Sequence, residues 1–489
     1  MNEGAVRFLG FTLIFLGVFG VLYAFDLISP MATGFYSVAK FYPMSVVSPE
    51  AKISSSLGEI LKTAPPDQNI PVVVVLTAQP GAMAIAQQQT FLQAMQIYGF
   101  QPTAFITHVD NAIAGYVPAS KVMELASNPN VRAVLYDKKI ARLFELKVKL
   151  LKDSVPMIKA PEVWKEGYTG QGVVLVIVDS GVKDDHPWLI RNGKSLVIKE
   201  EVTVPGAADY TMWHGTHCAS IVASQDATYH GVAPGIDGIV DIVAFDYHGS
   251  STVSWLLAAL DKAYKDAQEV KKSGKAVVFT NSWGTIACDH PEVNEIRYAA
   301  LKLTELGPVV FAAGNFGPAS STIAAPADAD NDKADIITVG AVCKDGEVAD
   351  FSSRGPDEWG SDHDEPDIAA PGRDIVAADT NGLSRPASGT SMATPHIAGV
   401  VALMLSKNPS LTNNQALDIL MKTAVDKGSS GFDYEYGAGI VDAHAAVSAV
   451  QAGLIPHIAL PVTYIIGGLA MIALVAGFAL VSNPRMVVS

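Results

Sequence analysis

Between residues 172 and 447, short runs that are apolar on both faces alternate with longer runs of helical spacing, and this alternation leaves few architectures open. Residues 173–178, 240–245, 276–280, 309–312 and 336–339 carry the unbroken apolar pattern of strands covered on each side. Residues 215–224, 253–272, 292–306, 394–406 and 414–423 read as helices. Strands that each hand over to a helix predict an α/β domain with a mostly parallel sheet. In such sheets chemistry gathers just beyond the carboxyl ends of the strands, where Asp179, Asn281 and Asn315 fall.

The most informative block is 389–396, Gly-Thr-Ser-Met-Ala-Thr-Pro-His, which runs into the apolar stretch 397–405. It predicts a tight turn feeding a buried helix. Gly389 supplies backbone freedom, and Pro395 is expected in the first helical turn, where N–H groups have no intrahelical partner to lose. Ser391 would then sit near the positive end of the helix macrodipole, which favours negative charge developing close by. A serine alone is not nucleophilic at neutral pH, so it needs a base, an orienting acid and an oxyanion donor. Asp179-Ser180-Gly181 closes a buried strand with a carboxylate that must be hydrogen-bonded there. His214-Gly215-Thr216-His217 opens a helix of small residues, and Ala312-Ala313-Gly314-Asn315 ends a strand in an amide donor. Singly, these are a cap, a core histidine and a turn. His214 and His217 find no third ligand at metal-site spacing. Within one α/β frame, however, they supply acid, base and oxyanion donor together.

The four blocks resemble those of the subtilisin-like serine proteases, and the chain order Asp, His, Ser is the subtilisin order. The resemblance spans residues 155–450 and includes Tyr168-Thr169-Gly170, Phe351-Ser352-Ser353-Arg354-Gly355-Pro356, Ala370-Pro371-Gly372 and Tyr436-Gly437-Ala438-Gly439. It implies a three-layer α/β fold and a serine endopeptidase that needs no cofactor for catalysis. In that scheme Ser391 attacks the peptide carbonyl, His214 moves the proton, Asp179 fixes the imidazole and Asn315 donates to the oxyanion. The resemblance further implies a groove lined by Ser282, Trp283 and Gly284, by Gly249 and Ser250, and by Ala313 and Gly314, which pairs with extended protein or peptide substrates as an added strand. Trp283 stands where the family commonly has a small aliphatic residue, so it is expected to reshape an adjoining pocket. Cys218, one turn after the base as in the proteinase K and kexin branches, reads as a buried small hydrophobe. A catalytically silent peptide-binding module on the same fold is the alternative; the competent residue at every triad and oxyanion position weighs against it.

Ahead of this domain, residues 70–143 follow the order β-α-β-β-α-β of a small ferredoxin-like α+β unit. Its layout is similar to the family's propeptide, an intramolecular chaperone and inhibitor. His108 and Asp110 within it read as surface residues. Residues 30–69 read as a linker with one short helix near 56–62. The basic stretch 138–159 reads as a solvated face or a protease-accessible junction, with processing expected near Leu143 and a peptidase domain over 144–450. Residues 8–25 form an uncharged apolar run after Arg7, a signal peptide or an N-terminal membrane anchor within 1–29. Residues 458–481, also uncharged, predict a transmembrane helix within 451–489. The expected location is therefore the cell membrane, with the peptidase domain on the extracellular side. A formal net charge of -15 argues against a nucleic-acid partner. Asp328, Asp330, Asp332 and Asp335 form an acidic loop, either solvated or a structural Ca²⁺ site. Cys218, Cys288 and Cys343 are too few for a disulfide framework, though one Cys288–Cys343 bridge is compatible with the count.

Overall fold

The computed structural model describes residues 48–143 and 154–451, apart from 332, 358 and 360–363. The first helix, α1 (Ser55–Leu61), is capped by the Ser54 hydroxyl, which accepts Leu57 N–H at 3.4 Å. It lies where the sequence predicts a helix, but Leu57 is buried in the core of the unit that follows. The linker expected over 30–69 therefore gives way to folded structure by residue 48.

Next come β1 (Asn69–Leu76), α2 (Ala82–Met95), β2 (Gln101–Ile106), β3 (Ala112–Pro118), α3 (Val122–Ser127) and β4 (Val131–Tyr136). The strands lie in the order β2-β3-β1-β4, antiparallel throughout, which is ferredoxin-like connectivity. Val72 and Val74 of β1 pack with Leu57, Phe91 and Leu125. Val73 and Val75, on the opposite face by the two-residue period of a strand, pack with Leu256, Leu260 and Ile296 of the following domain. The valine run is apolar on both faces because both faces are covered. The chain then enters β5 (Lys139–Leu143).

The larger domain contains β6 (Val173–Asp179), β7 (Val197–Val202), α4 (His214–Ala223), β8 (Gly238–Val243), β9 (Ser250–Thr252), α5 (Val253–Lys272), β10 (Ala276–Asn281), β11 (Trp283–Ile286), α6 (Pro291–Leu303), β12 (Val309–Ala312), β13 (Ile337–Val342), β14 (Ile368–Pro371), α7 (Thr390–Lys407) and α8 (Asn413–Thr423). Its central sheet has seven strands in the order β14-β13-β12-β10-β6-β8-β7, every neighbouring pair parallel. Leu175, Ile177 and Val310 face one way, toward Ala219 of α4, Val401 of α7 and Leu420 of α8. Val174, Val176 and Phe311 face the other way, toward Leu257 of α5 and Ile296 of α6. The result is the three-layer α/β arrangement expected. Two strands escaped sequence reading for physical reasons. β7 is an edge strand carrying Lys199, Glu200 and Glu201, and β14 has only four residues, the last of them Pro371.

Among the described residues no helix is long and apolar enough to cross a membrane, and the runs 8–25 and 458–481 lie outside them. All three cysteines are free, so the Cys288–Cys343 bridge is absent.

The helix α7 threads the core closely. A Cβ on Gly399 would lie 2.5 Å from Val232 Cβ and 2.8 Å from its Cγ1. Gly399→Ala is therefore expected to destabilise the domain by about 1–3 kcal/mol through overpacking, read as a lower urea midpoint at unchanged slope.

Candidate active site

Asp179 is the last residue of β6, and its carboxylate accepts Ser180 N–H at 2.7 Å and His214 Nδ1–H at 2.8 Å. Both side chains are fully buried. His214 opens α4, and two glycines let that helix approach the strand end. A Cβ on Gly215 would lie 2.4 Å from the Gly181 carbonyl oxygen, while Gly215 N–H donates to Ser180 Oγ at 3.0 Å. The bond to Asp179 sets the proton on Nδ1, and Nε2 is buried with no hydrogen-bond partner among the described residues. Burial, the largest single influence, disfavours the imidazolium, but the Asp179 charge, the neighbouring Cys218 and their hydrogen bonds together outweigh it and raise His214 well above the usual histidine range. His217 plays no part in this pair. Its Nε2 lies 3.0 Å from the Arg385 carbonyl, and burial pushes it down to about 3.

Ser391 is the second residue of α7. Pro395 lies inside that helix, beyond the first turn where the sequence reading placed it. Having no N–H, Pro395 cannot donate to the carbonyl four residues back, which belongs to Ser391. Two side chains supply the missing donor: Ser282 Oγ at 2.9 Å and Cys218 Sγ at 3.4 Å. Ser391 Oγ in turn donates to the Ser282 carbonyl at 3.0 Å. Cys218 therefore does more than fill space, since its Sγ also lies 3.8 Å from His214 Nδ1. Burial pushes this thiol up, keeping it a donor.

Thr390 orients the amide. Its N–H and its hydroxyl both donate to Asn315 Oδ1, each at 3.0 Å. Asn315 Nδ2 is left buried, without an acceptor among the described residues. Sequence reasoning missed these supporting roles of Thr390, Ser282 and Cys218. The signals were a hydroxyl just before the serine and a proline four residues after it.

β9 and β11 carry residues expected to line the groove, and β5 lies between them, antiparallel to both. Arg142 stands opposite Ser250 on one side and Gly284 on the other, and Leu143 stands opposite Trp283. The carboxyl end of β5 thus points toward Ser282, whose carbonyl holds the Ser391 hydroxyl. Over Lys139–Leu143 the basic junction is a strand. Gly249, at φ 68°, turns the chain into β9, and Asp246 Oδ1 steadies that turn by accepting His248 and Ser250 N–H at 2.9 and 3.0 Å. Gly314, at φ 112°, has no room for a side chain, since a Cβ would lie 2.7 Å from Ser353 Oγ. Ala313 beside it is buried, its carbonyl accepting Ala324 N–H at 2.7 Å.

Several expectations change. Trp283 is fully buried, edge-on to Phe311 with ring centroids 5.0 Å apart and tilted against Phe245 at 5.9 Å, so its side chain packs in the core. His108 and Asp110 are not simple surface residues: they sit where the small unit meets α5 and α6, paired with Asp261 and Arg132. Asp328 and Asp330 are buried rather than solvated. Arg297 donates to both oxygens of Asp328, at 2.9 and 2.5 Å. Asp332 lies outside the described residues.

Residues 170–439 match the family model described as Peptidase_S8, the subtilase family. Subtilisin E of Bacillus subtilis (strain 168) is 33% identical over 342 residues, covering 69% of this chain and 80% of that protein. Subtilisin of Bacillus pumilus is 34% identical over 298 residues, covering 60% of this chain and 97% of that one. Serine protease AprX of Bacillus subtilis (strain 168) is 30% identical over 367 residues, covering 69% and 79%.

Two consequences of the geometry are measurable. Asp179→Asn removes the largest influence opposing burial, so the His214 imidazole should titrate at lower pH than in the wild type when followed by NMR. Ser282→Ala leaves the Ser391 carbonyl with the weaker thiol donor alone, and a loss of about 1–3 kcal/mol is expected in urea unfolding.

Proposed function

The chain belongs to the subtilase family and is a subtilisin-like serine endopeptidase, and from that premise we propose that Asp179, His214 and Ser391 are its triad and Asn315 its oxyanion donor. The observation that carries this reading is a complementary pair of unsatisfied nitrogens. With its proton on Nδ1, His214 presents at Nε2 a buried acceptor lacking a donor, and Asn315 presents at Nδ2 a buried donor lacking an acceptor. Such groups cost roughly 1–3 kcal/mol each when left unmade. A serine hydroxyl proton and a carbonyl oxygen are the two partners they fit.

On this reading a substrate enters the groove as a strand between β9 and β11. The Ser391 hydroxyl turns from the Ser282 carbonyl to His214 Nε2, and its oxygen attacks the peptide carbon as Nε2 takes the proton. The new C–O bond pushes the carbonyl electron pair onto oxygen, where Asn315 Nδ2 and the Ser391 N–H stabilise it. Asp179 stabilises the imidazolium. His214 then gives its proton to the leaving amine as the C–N bond breaks. Water resolves the acyl-enzyme by the same steps, yielding its proton to His214 and releasing the carboxylic acid.

We further propose that the small N-terminal unit is the enzyme's own propeptide, inhibiting the groove through β5 until the chain cuts itself near Leu143. The antiparallel seat of Lys139–Leu143 between the two groove strands supports this. The uncharged runs 8–25 and 458–481 support a membrane-held enzyme with its peptidase domain outside the cell.

Mapping both termini of membrane-extracted protein by mass spectrometry tests these points together. Wild-type protein should begin close to residue 144, while Ser391→Ala should stay unprocessed. A mature terminus well before Ala133, or normal processing in Ser391→Ala, overturns the scheme. Asn315→Ala should lower kcat roughly 10²–10³-fold. The acid limb of kcat/KM should lie above the usual histidine range, with activity lost as falling pH protonates His214.

A further inference from the structure

The small N-terminal unit docks on α5 and α6 through two polar contacts of different kinds. At one, Asp261 of α5 accepts the backbone N–H groups of Thr107, His108 and Val109, with Thr107 at 2.9 Å and Val109 at 3.3 Å, and its second oxygen lies 3.1 Å from His108 Nδ1. That carboxylate is fully satisfied. At the other, Glu295 of α6 and Asp110 of the β2–β3 loop bond the same nitrogen, Nη2 of Arg132 on β4, at 3.0 and 3.2 Å. The Glu295 and Asp110 side chains are only 7% and 14% exposed. Two carboxylates thus share one guanidinium at the rim of the interface, where the Arg132 side chain is itself 46% exposed. Glu292, one turn back on α6, adds no cation: it is buried, takes the Ser56 hydroxyl on one oxygen and has no partner on the other among the described residues. Tyr298, one turn onward, packs on Trp359 and contributes no positive charge.

We propose that Glu295, Asp110 and Arg132 form a proton-held latch, in which one proton shared by the two carboxylates fastens the N-terminal unit to α6 and its loss at higher pH loosens the unit. Burial, and then Asp110 beside it, push the Glu295 carboxyl up to about 8. The sign follows from linkage. With the unit docked, Glu295 keeps its proton up to that range; with the unit gone, it returns toward the ordinary carboxylate value. The docked form therefore binds the extra proton. Docking is strongest in acid, weakens as pH rises between the two values, and loses the whole contribution once pH passes the docked value. If the unit is the inhibitor proposed above, the latch would release it in mildly alkaline surroundings; the docking equilibrium itself does not depend on that reading.

The test uses the full chain carrying Ser391→Ala, so that neither processing nor catalysis enters. Hydrogen exchange at Thr107 and Val109 reports docking directly, because their N–H groups are held by Asp261 across the interface. Amides of the β1–β3 ladder serve as the control that the unit stays folded. After correction for intrinsic exchange, protection at 107 and 109 should fall with pH, by at most about tenfold per unit, and level off above about 8. Adding Glu295→Gln should flatten that slope, while Arg132→Ala, which leaves two acids facing each other, should lower protection throughout. An unchanged slope in Glu295→Gln, or protection independent of pH in the parent, overturns the latch. A flat parent profile alongside normal self-processing of the wild type would sink the latch and leave the peptidase reading standing. A steep profile with no processing would do the reverse.

Discussion

Asp179 and His214 meet 2.8 Å apart, both without solvent, where a strand ends and a helix begins. Each alone would be expensive there, because a buried carboxylate and a buried imidazolium both lose hydration. Together they compensate each other, and the net effect is a ring that binds a proton more tightly than an ordinary histidine. The pair can form only if the start of α4 comes against the turn after β6, and that approach requires bare backbone on both sides. Gly215 lies against Gly181 at a distance no side chain allows. The parallel sheet is what delivers the strand end, so the chemistry inherits its position from hydrophobic packing that includes neither residue.

Ser391 is held by a defect. An unbroken helix would satisfy the Ser391 carbonyl with the N–H four residues on, but Pro395 has none. The orphan carbonyl is met by a hydroxyl from the β10–β11 connection and a thiol from α4. Because Cys218 also reaches the His214 ring, the helix of His214 and the helix of Ser391 are tied at one sulfur. A regular helix would have been more self-sufficient and less firmly fixed relative to its neighbours.

What was legible in the sequence was whatever a short window determines. The apolar runs located the five inner strands, and the block 389–396 located the nucleophile turn, because small, polar and kinked residues at strand and helix ends have few structural explanations in combination. What required coordinates was whatever depends on a partner far along the chain. Trp283 was read as groove-facing because its neighbours line the groove, but alternation along β11 sends it into the core against Phe245 and Phe311. Asp328 was read as a solvated or calcium-binding acid because nothing local marks Arg297 as its partner. The strand at 139–143 is hidden in the sequence by Lys139 and Arg142, which suggest solvent, although pairing between two strands recognises backbone before side chains.

The β5 ladder uses the same backbone groups any extended substrate would use, so its hold is no stronger per residue than a substrate's. What the chain's own strand has in addition is a tether, and beyond the tether a second contact: the β1–β4 sheet lying on α5 and α6, with Val73 and Val75 against Leu256, Leu260 and Ile296. Cutting the chain after β5 would remove the tether and leave that sheet face in place, so severed residues would still be delivered to the groove at high local concentration. The ladder can be displaced only after the sheet face lets go. Control of access to Ser391 would therefore reside away from the catalytic residues, at the polar contacts that border an otherwise apolar interface.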